Sequence, residues 1–508
     1  MMDDDSFLPQ DEPAEQAIET PRVRAPEIDR PTLEWFNVDA PLKLADLRGK
    51  LVILDFWSSC CINCMHVLPT LKTVEAAYPD EVVVIGVHSP KFAAEQRPEN
   101  LRAAIRRYGI EHPVANDVNF ELWREYAVRA WPTLVFIGPE GHVMGQMSGE
   151  PDAERLVTAV SELIEKWDTQ ELLSPSPSPG QRPADDGTAE PGRFAFPGKL
   201  KPVPNGGGTW ALSDPGHHQI VLLDDDGGEL QRFGTGRAGF ADGDAGRAAF
   251  NTPQGLAADA EAIYVADTGN HAVRRIDLAS GKAITLAGTG ERGMVVDEDE
   301  PSLASALASP WDLEVDGDLV YIANAGTHQL LRLDVGARVL RPLAGNGGED
   351  IIDGAAEEAQ LAQPSGLALD RAQQLLYFAD SETSSVRVVE LASREVRTLV
   401  GEGLFDFGWD NGPFQLARLQ HPLGLALTDN EVLVADSYNQ KARVLDLASR
   451  RVSDLDDGYD CADDVCIPPA EPAGIWADGP DRVLLVDTNN HRVLEYLRTE
   501  RLYRTWTV

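Results

Sequence analysis

Three of the chain's five cysteines lie within five positions, in the stretch SSCCINCMHVLP at residues 58–69. Cys61 and Cys64 are three residues apart, a spacing that suits a reversible disulfide. A zinc site built on the same pair would need two further ligands. A third alternative is that the cysteines are small core residues, so the elements that hold them decide between these chemistries.

The elements around the cysteines favour a reactive dithiol. The apolar run KLVILDFW at residues 50–57 predicts a strand buried on both faces of a sheet, and the helical spacing of CMHVLPTLKTVEAAYP follows it. Cys61 is therefore expected where the strand has ended and a helix begins. A thiol there faces free N–H groups and the positive end of the helix dipole, which favour the thiolate. Cys64, one turn further on, is the natural resolving thiol.

Asp55 lies inside the apolar run, six residues before Cys61. A buried carboxylate is costly unless it is used or paired, so Asp55 is a candidate functional residue. The alternative is an aspartate at a strand edge with a backbone partner.

Metal binding is not predicted, and neither is any cofactor. His66 follows Cys64 by two positions on the predicted helix, so its side chain points away from the dithiol. Cys461 and Cys466 lie in a distant loop, where they are either a small redox pair or two solvated thiols.

The first part of the chain alternates strands and helices, which is typical of an α/β domain with its sheet between helix layers. A Pro/Ser/Gly-rich stretch, SPSPSPGQRPADDGTAEPGR at residues 174–193, predicts a linker. Beyond it, one pattern recurs six times: a Pro-x-Gly start, a short strand, a hydrophobic strand ending in Ala-Asp, a turn and a further strand. The equivalent residues are Asp214, Asp267, Asn324, Asp380, Asp436 and Asp487.

Six units of four short strands predict a six-bladed β-propeller. His218, His271, His328 and His491 occupy the same turn of different blades, so each is expected to pack at the periphery of its own blade rather than to form a metal cluster. Asp312 replaces the usual Gly near the channel mouth, but this single residue is not accompanied by other signs of a site. The last strand, LYRTWTV, either completes blade six or pairs into blade one.

The repeats resemble NHL repeats, with the namesake dipeptide at Asn270-His271 and Asn490-His491. The first body resembles TlpA-like members of the thioredoxin-like family through LDFWSSCCINC, Pro69 and Trp131-Pro132-Thr133. The domain order and the Cys-Cys-Ile-Asn-Cys signature are similar to the NHL-repeat-containing protein 2 family. Composition predicts a disordered tail at 1–30 and a linker at 169–193, and the resemblance implies a thioredoxin-like domain at 31–168 and a propeller at 194–508.

The resemblance also implies roles for single residues. Asp55 would accept a proton from Cys64 as a mixed disulfide resolves, and a cis Pro132 would present the Trp131 backbone to an extended substrate chain. Two departures from the family pattern matter. Ile62-Asn63 replaces the usual Gly-Pro, which leaves the reduction potential unpredictable, and Cys60 replaces the usual Trp. Cys60 either forms an alternative disulfide or fills the Trp site.

Composition limits the partners. The net charge of −39 repels phosphate backbones and anionic lipids, so neither nucleic acid nor a membrane is expected as a partner. The acidic first twenty residues, predicted to be disordered, do not read as a secretory signal, and a cytoplasmic location is expected. The sequence thus predicts thiol-disulfide oxidoreductase activity through Cys61 and Cys64 on a protein substrate, with the propeller as a protein-docking platform. The alternative is a non-catalytic scaffold with a passive thioredoxin fold.

Overall fold

The computed structural model of the protein describes residues 23–178, 192–204, 207–456 and 467–507. It confirms an α/β thioredoxin-like domain followed by a six-bladed β-propeller. The first domain has one sheet with the strand order β1-β4-β3-β2-β5-β6. Its strands are β1 (Glu34–Phe36), β2 (Leu51–Trp57), β3 (Val82–His88), β4 (Val114–Asn116), β5 (Thr133–Ile137) and β6 (Val143–Ser148). Its helices are α1 (Ile62–Ala77), α2 (Pro98–Arg107), α3 (Glu121–Glu125) and α4 (Ala153–Thr169).

Strand β2 is the centre of this domain. It pairs in parallel with β3 and antiparallel with β5, and all seven of its residues are buried. Helices α1 and α4 pack on one face of the sheet, where Leu71 and Val160 are fully buried. Because β2 cannot move between its two neighbours and the helices, its carboxyl end is a rigid support for the turn that follows.

Residues on both sides of the predicted thioredoxin-like domain, 31–168, also pack against it. Ile28 is fully buried in the core, and the backbone N–H of Ala25 donates to Gly141 O at 3.1 Å. The last residues of the predicted tail, 1–30, therefore belong to the thioredoxin-like domain. Residues 1–22 lie outside the described residues. After α4, Ser174 N donates to Gly49 O at 2.8 Å, so the start of the predicted linker packs against the domain instead of leaving it.

The propeller has six antiparallel sheets, each made from one continuous segment. Their main strands, blade by blade, are Leu200–Val203, Thr209–Asp214, Gln219–Leu223 and Glu229–Phe233; Gly255–Ala258, Ala262–Asp267, Ala272–Asp277 and Ala283–Ala287; Pro310–Asp316, Leu319–Asn324, Gln329–Asp334 and Val339–Ala344; Pro364–Asp370, Leu375–Asp380, Ser385–Glu390 and Glu395–Val400; Gly424–Leu427, Glu431–Asp436, Lys441–Asp446 and Arg451–Asp454; and Gly474–Asp478, Arg482–Asp487, Arg492–Leu497 and Leu502–Thr507. The last strand pairs within blade six, which decides between the two closures that the sequence left open.

The repeated residue at the end of each second strand, an aspartate in five blades, is fully buried. Its Oδ1 accepts, at 2.7–3.1 Å, the backbone N–H of the residue two positions before the proline that starts the blade. In five blades Oδ2 pairs with an arginine at 2.8–2.9 Å. Blade three has Asn324 instead, and the position seven residues on, an arginine in blades two, four and five, is Leu331. Acid and base are thus lost together, as expected when an unpaired buried charge is costly.

The residue directly before each of these prolines, here called the pre-proline residue, has a positive φ of 45–63° in every blade. The six pre-proline residues are Phe196, Thr252, Ser309, Gln363, His421 and Glu471. Four of them donate a backbone N–H to a repeat histidine of the preceding blade at 2.9–3.1 Å. The histidines predicted to pack in their own blades therefore join neighbouring blades, and His491 to Phe196 closes the ring.

The first strands of neighbouring blades contact one another around the axis. Lys199 of blade one reaches across to Ala473 O at 2.7 Å and also contacts Leu423 O; burial lowers its pKa to about 8. Asp312, which replaces the usual Gly of the repeat, is buried, and its Oδ2 accepts the backbone N–H of Leu367 at 3.0 Å. These polar contacts connect blade one to blades five and six, and blade three to blade four.

The covariation in blade three predicts how the buried pair Asp436–Arg443 responds to change. Arg443→Leu leaves Asp436 buried and unpaired, and we expect a loss of stability of about 3–5 kcal/mol. Adding Asp436→Asn should restore part of that loss, because the amide carries no charge to desolvate. Guanidinium unfolding of both variants measures this. Equal unfolding midpoints for the single and double variants would contradict the explanation.

Candidate active site

Cys61 is the N-cap of α1, as the strand-to-helix pattern predicts. Its sulfur accepts the backbone N–H of Cys64 at 3.3 Å, and its carbonyl accepts the N–H of Met65 at 3.2 Å. Cys61 is partly exposed, whereas Cys60 and Cys64 are each 1% exposed. Cys61, at the positive end of the helix, is thus the most exposed of the three cysteines.

Cys64 lies in the first turn of α1 beneath Cys61. Burial raises the pKa of its thiol well above the ordinary value, and the hydrogen bond and charge of Cys61, together with the charge of Asp55, raise it further. A thiol of this kind attacks only when a base takes its proton. The resolving role predicted for Cys64 therefore requires a nearby proton acceptor.

Asp55 is fully buried at the centre of β2. Among the described residues neither of its carboxylate oxygens has a hydrogen-bond partner, so the alternative of a strand-edge aspartate with a backbone partner does not apply. Desolvation raises the pKa of Asp55 to about 7, although the charge of His112 opposes the shift. The carboxyl group can exchange a proton near neutral pH.

Trp131 and Pro132 are joined by a cis peptide bond. The Trp131 ring packs against Trp123 with a centroid distance of 4.6 Å, and Cys61 and Trp131 pack on the same core cluster as Cys64. The structure places Cys61, Cys64 and Trp131 together, with Asp55 close enough for its charge to raise the pKa of Cys64.

Cys60 is buried in a different core cluster from Cys64, and Cys61 packs against both clusters. Its sulfur lies 3.0 Å from Ser58 Oγ, in a cluster with Phe92 and with Tyr438 of the propeller. Burial raises the pKa of the Cys60 thiol well above its usual range, and the charges of nearby carboxylates add to the effect. This placement favours a packing role for Cys60.

Glu95 is a site residue that the sequence reasoning missed. Its Oε1 accepts from Ser58 Oγ at 2.7 Å, Ser59 Oγ at 2.8 Å and Cys60 N at 3.1 Å. Burial alone would raise its pKa, but His88 and the hydrogen bonds lower it to about 2, so Glu95 is a fixed carboxylate. It holds the turn before Cys61 from inside the domain. No local pattern marks it, since it lies more than thirty residues from the cysteines.

The dithiol turn faces the propeller, and the pre-proline residues form much of the contact. His66 Nε2 lies 2.8 Å from Ser309 Oγ, while its Nδ1 lies 2.9 Å from Glu150 Oε1. The Phe92 ring packs 5.3 Å from His421. Among the described residues no cluster of three or more His, Cys, Asp or Glu side chains suits a metal ion.

Comparisons with known proteins agree with this architecture. Residues 49–143 match the thioredoxin-like family model, and residues 250–276 match the NHL repeat model. Fold and site together define a thioredoxin-like domain joined to an NHL-repeat propeller. NHL repeat-containing protein 2 of Gallus gallus is 37% identical over an alignment that covers 93% of this chain and 70% of the chicken protein. The chain belongs to the NHL repeat-containing protein 2 family.

Two further relatives extend the comparison. Protein SUPPRESSOR OF QUENCHING 1, chloroplastic, of Arabidopsis thaliana is 38% identical over 90% of this chain, which spans 45% of that longer protein. Thiol-disulfide oxidoreductase ResA of Bacillus thuringiensis is 30% identical over 115 residues, 23% of this chain and 64% of ResA. No helix within the described residues is long and apolar enough to cross a membrane.

The raised pKa of Asp55 predicts a stability that depends on pH. The folded pKa of about 7 lies above the value of about 4 for an unfolded aspartate. The stability contribution is therefore complete below about pH 4 and is lost as the pH rises towards 7. Asp55→Asn removes the titration, so its advantage over the wild type should grow from pH 4 to 8, to on the order of 2–4 kcal/mol.

Denaturant unfolding at pH 4, 6 and 8 checks this prediction. Asp152→Asn is the matched control, because Asp152 caps α4 at the surface and asparagine caps equally well. A difference between Asp55→Asn and wild type that stays constant with pH would show that Asp55 does not titrate in this range.

Proposed function

We propose that the protein is a thiol-disulfide oxidoreductase that acts through Cys61 and Cys64. The observation that carries this proposal is the arrangement at the start of α1. A partly exposed sulfur caps the helix and accepts the N–H of the second cysteine, while a buried carboxyl group with a pKa of about 7 lies below. The relative named ResA supports the same chemistry for the thioredoxin-like domain.

The proposed reaction has two exchange steps. The Cys61 thiolate attacks one sulfur of a substrate disulfide, so a mixed disulfide forms and the other substrate sulfur leaves as a thiolate. Cys64 then attacks the Cys61 sulfur and releases the second substrate thiolate. Two electrons pass to the substrate, and the protein is left with a Cys61–Cys64 disulfide. Reversal of the same steps would oxidise a substrate dithiol.

Asp55 is assigned to the second step. Cys64 is buried and its pKa is raised, so it needs a base at the moment of attack. An unpaired carboxylate near neutral pKa can take the Cys64 proton without leaving a strong acid behind. The pH dependence of resolution should follow this group.

The proposed substrate is a protein disulfide that approaches along Trp131 and Pro132. Part of the propeller face at the pre-proline residues is already in contact with the thioredoxin-like domain, so docking of a partner is assigned to the remaining propeller surface. A cytoplasmic location stays a prediction, and the Arabidopsis relative is described as chloroplastic.

Disulfide reduction tests the proposal directly. The protein is reduced with dithiothreitol, freed of excess reductant and mixed with a disulfide-bonded peptide, and the released thiols are measured. We expect Cys61→Ser to abolish release because the attacking sulfur is gone, whereas Cys60→Ser should retain it because Cys60 is buried in a separate packing cluster. An unreactive wild type would favour the alternative of a passive thioredoxin fold in a scaffold protein.

A trapping experiment tests the order of the two thiols. Cys64→Ser should hold its partner as a mixed disulfide at Cys61, since the resolving sulfur is missing. Non-reducing electrophoresis followed by mass spectrometry of the linked peptides identifies both the sulfur and the partner. Adducts that form at Cys64 in Cys61→Ser, and not at Cys61 in Cys64→Ser, would reverse the assignment.

A further inference from the structure

The side chain of Gln363, from blade four, contacts both peptide groups that flank Cys61. Its Nε2 donates to the carbonyl of Cys60 at 3.0 Å, and its Oε1 accepts the N–H of Ile62 at 3.0 Å. Gln363 is 1% exposed. One propeller side chain therefore pairs with the dithiol turn as a neighbouring strand would.

These two peptide groups determine where the Cys61 sulfur lies. Ile62 is the first residue of α1, and its N–H is one of the helix-terminal donors that have no partner within the helix. Cys60 is held on both sides, by Glu95 at its N–H and by Gln363 at its carbonyl. Rotation of either peptide group would move the sulfur relative to the N–H of Cys64 and to the helix axis.

Gln363 is itself held rigidly. As a pre-proline residue it has a φ of 63°, and its N–H donates to His328 Nδ1 at 3.1 Å. Its carbonyl accepts from Ser365 Oγ at 2.8 Å and Ser381 N at 3.2 Å. The blade thus fixes the backbone of Gln363 before the amide meets the thioredoxin-like domain.

We propose that Gln363 is a positioning residue for Cys61, so that the propeller completes the redox site instead of only docking a partner. The inference rests on the proposed role of Cys61 as the attacking thiol. The thioredoxin-like domain alone would lack one of the two supports of its active-site turn. The reactivity of Cys61 therefore depends on a residue about three hundred positions away in the chain.

The test uses the full-length reduced protein and two substitutions, Gln363→Glu and Gln363→Ala. The readout is the rate of Cys61 alkylation by iodoacetamide across pH 5–10, resolved by peptide mass spectrometry, together with the reduction potential of the Cys61/Cys64 pair in glutathione buffers. Gln363→Glu places a carboxylate beside the thiolate, which should slow alkylation at pH 7 by roughly tenfold and move its pH midpoint upwards. Gln363→Ala should change both the midpoint and the potential by a smaller amount.

Gln420→Ala is the matched control. Gln420 is also a buried propeller glutamine whose Oε1 accepts a backbone N–H of the thioredoxin-like domain, that of Ala94 at 3.4 Å, but it does not contact the dithiol turn. It should leave the Cys61 titration unchanged. Equal shifts for the Gln363 and Gln420 variants, or wild-type titration in both Gln363 variants, would overturn the inference.

The two proposals fail separately in this design, because alkylation needs no disulfide substrate. A shifted titration in a protein that reduces no disulfide would contradict the proposed function and support positioning by Gln363. Disulfide reduction by the wild type with unchanged titration in the Gln363 variants would do the reverse.

Discussion

The arrangement of this protein depends on a buried aspartate at the end of the second strand in five of the six blades. In blade four, Asp380 is fully buried, pairs with Arg387 at 2.9 Å and accepts the N–H of Ala362 at 2.8 Å. Ala362 directly precedes Gln363, which contacts the dithiol turn. A short path of polar contacts therefore runs from the centre of a propeller blade to the reactive sulfur. A buried charge that loses its partner is strongly destabilising, so this path has little freedom to rearrange.

The same constraint explains how one repeat provides different contacts. The pre-proline residue has a positive φ in every blade, and in five blades its backbone N–H donates to a side chain of the preceding blade. The backbone requirement leaves the side chain free to differ. Five of the six pre-proline side chains contact the thioredoxin-like domain, each by different chemistry; the five are Phe196, Ser309, Gln363, His421 and Glu471. The repeat determines where each pre-proline side chain lies, and the residue type determines which contact it makes with the thioredoxin-like domain.

Sequence reasoning reached the fold and the candidate thiols because both leave local patterns. Six-fold recurrence predicts the propeller, and a buried strand followed by a helix places Cys61 and Asp55. It missed β1 and β4, which are three residues long and too short to show a period. Gln363 was equally out of reach, because its role comes from a contact with a turn three hundred residues away. The neutral pair in blade three is visible in the sequence, but its meaning depends on knowing which side chains face each other.

The closure of the propeller has a mechanical consequence. Each blade is one continuous segment, so within the described residues no strand is shared between blade six and blade one. Arg107 of the thioredoxin-like domain lies over that joint: its guanidinium stands 5.4 Å from the Phe196 ring of blade one and 2.9 Å from Glu471 of blade six, and it also contacts Asn489. The smaller domain thus adds contacts across a joint that His491 and Lys199 already close from within the propeller. Loss of the thioredoxin-like domain would therefore destabilise the propeller. We expect the two domains to unfold in a single transition and not in two successive ones.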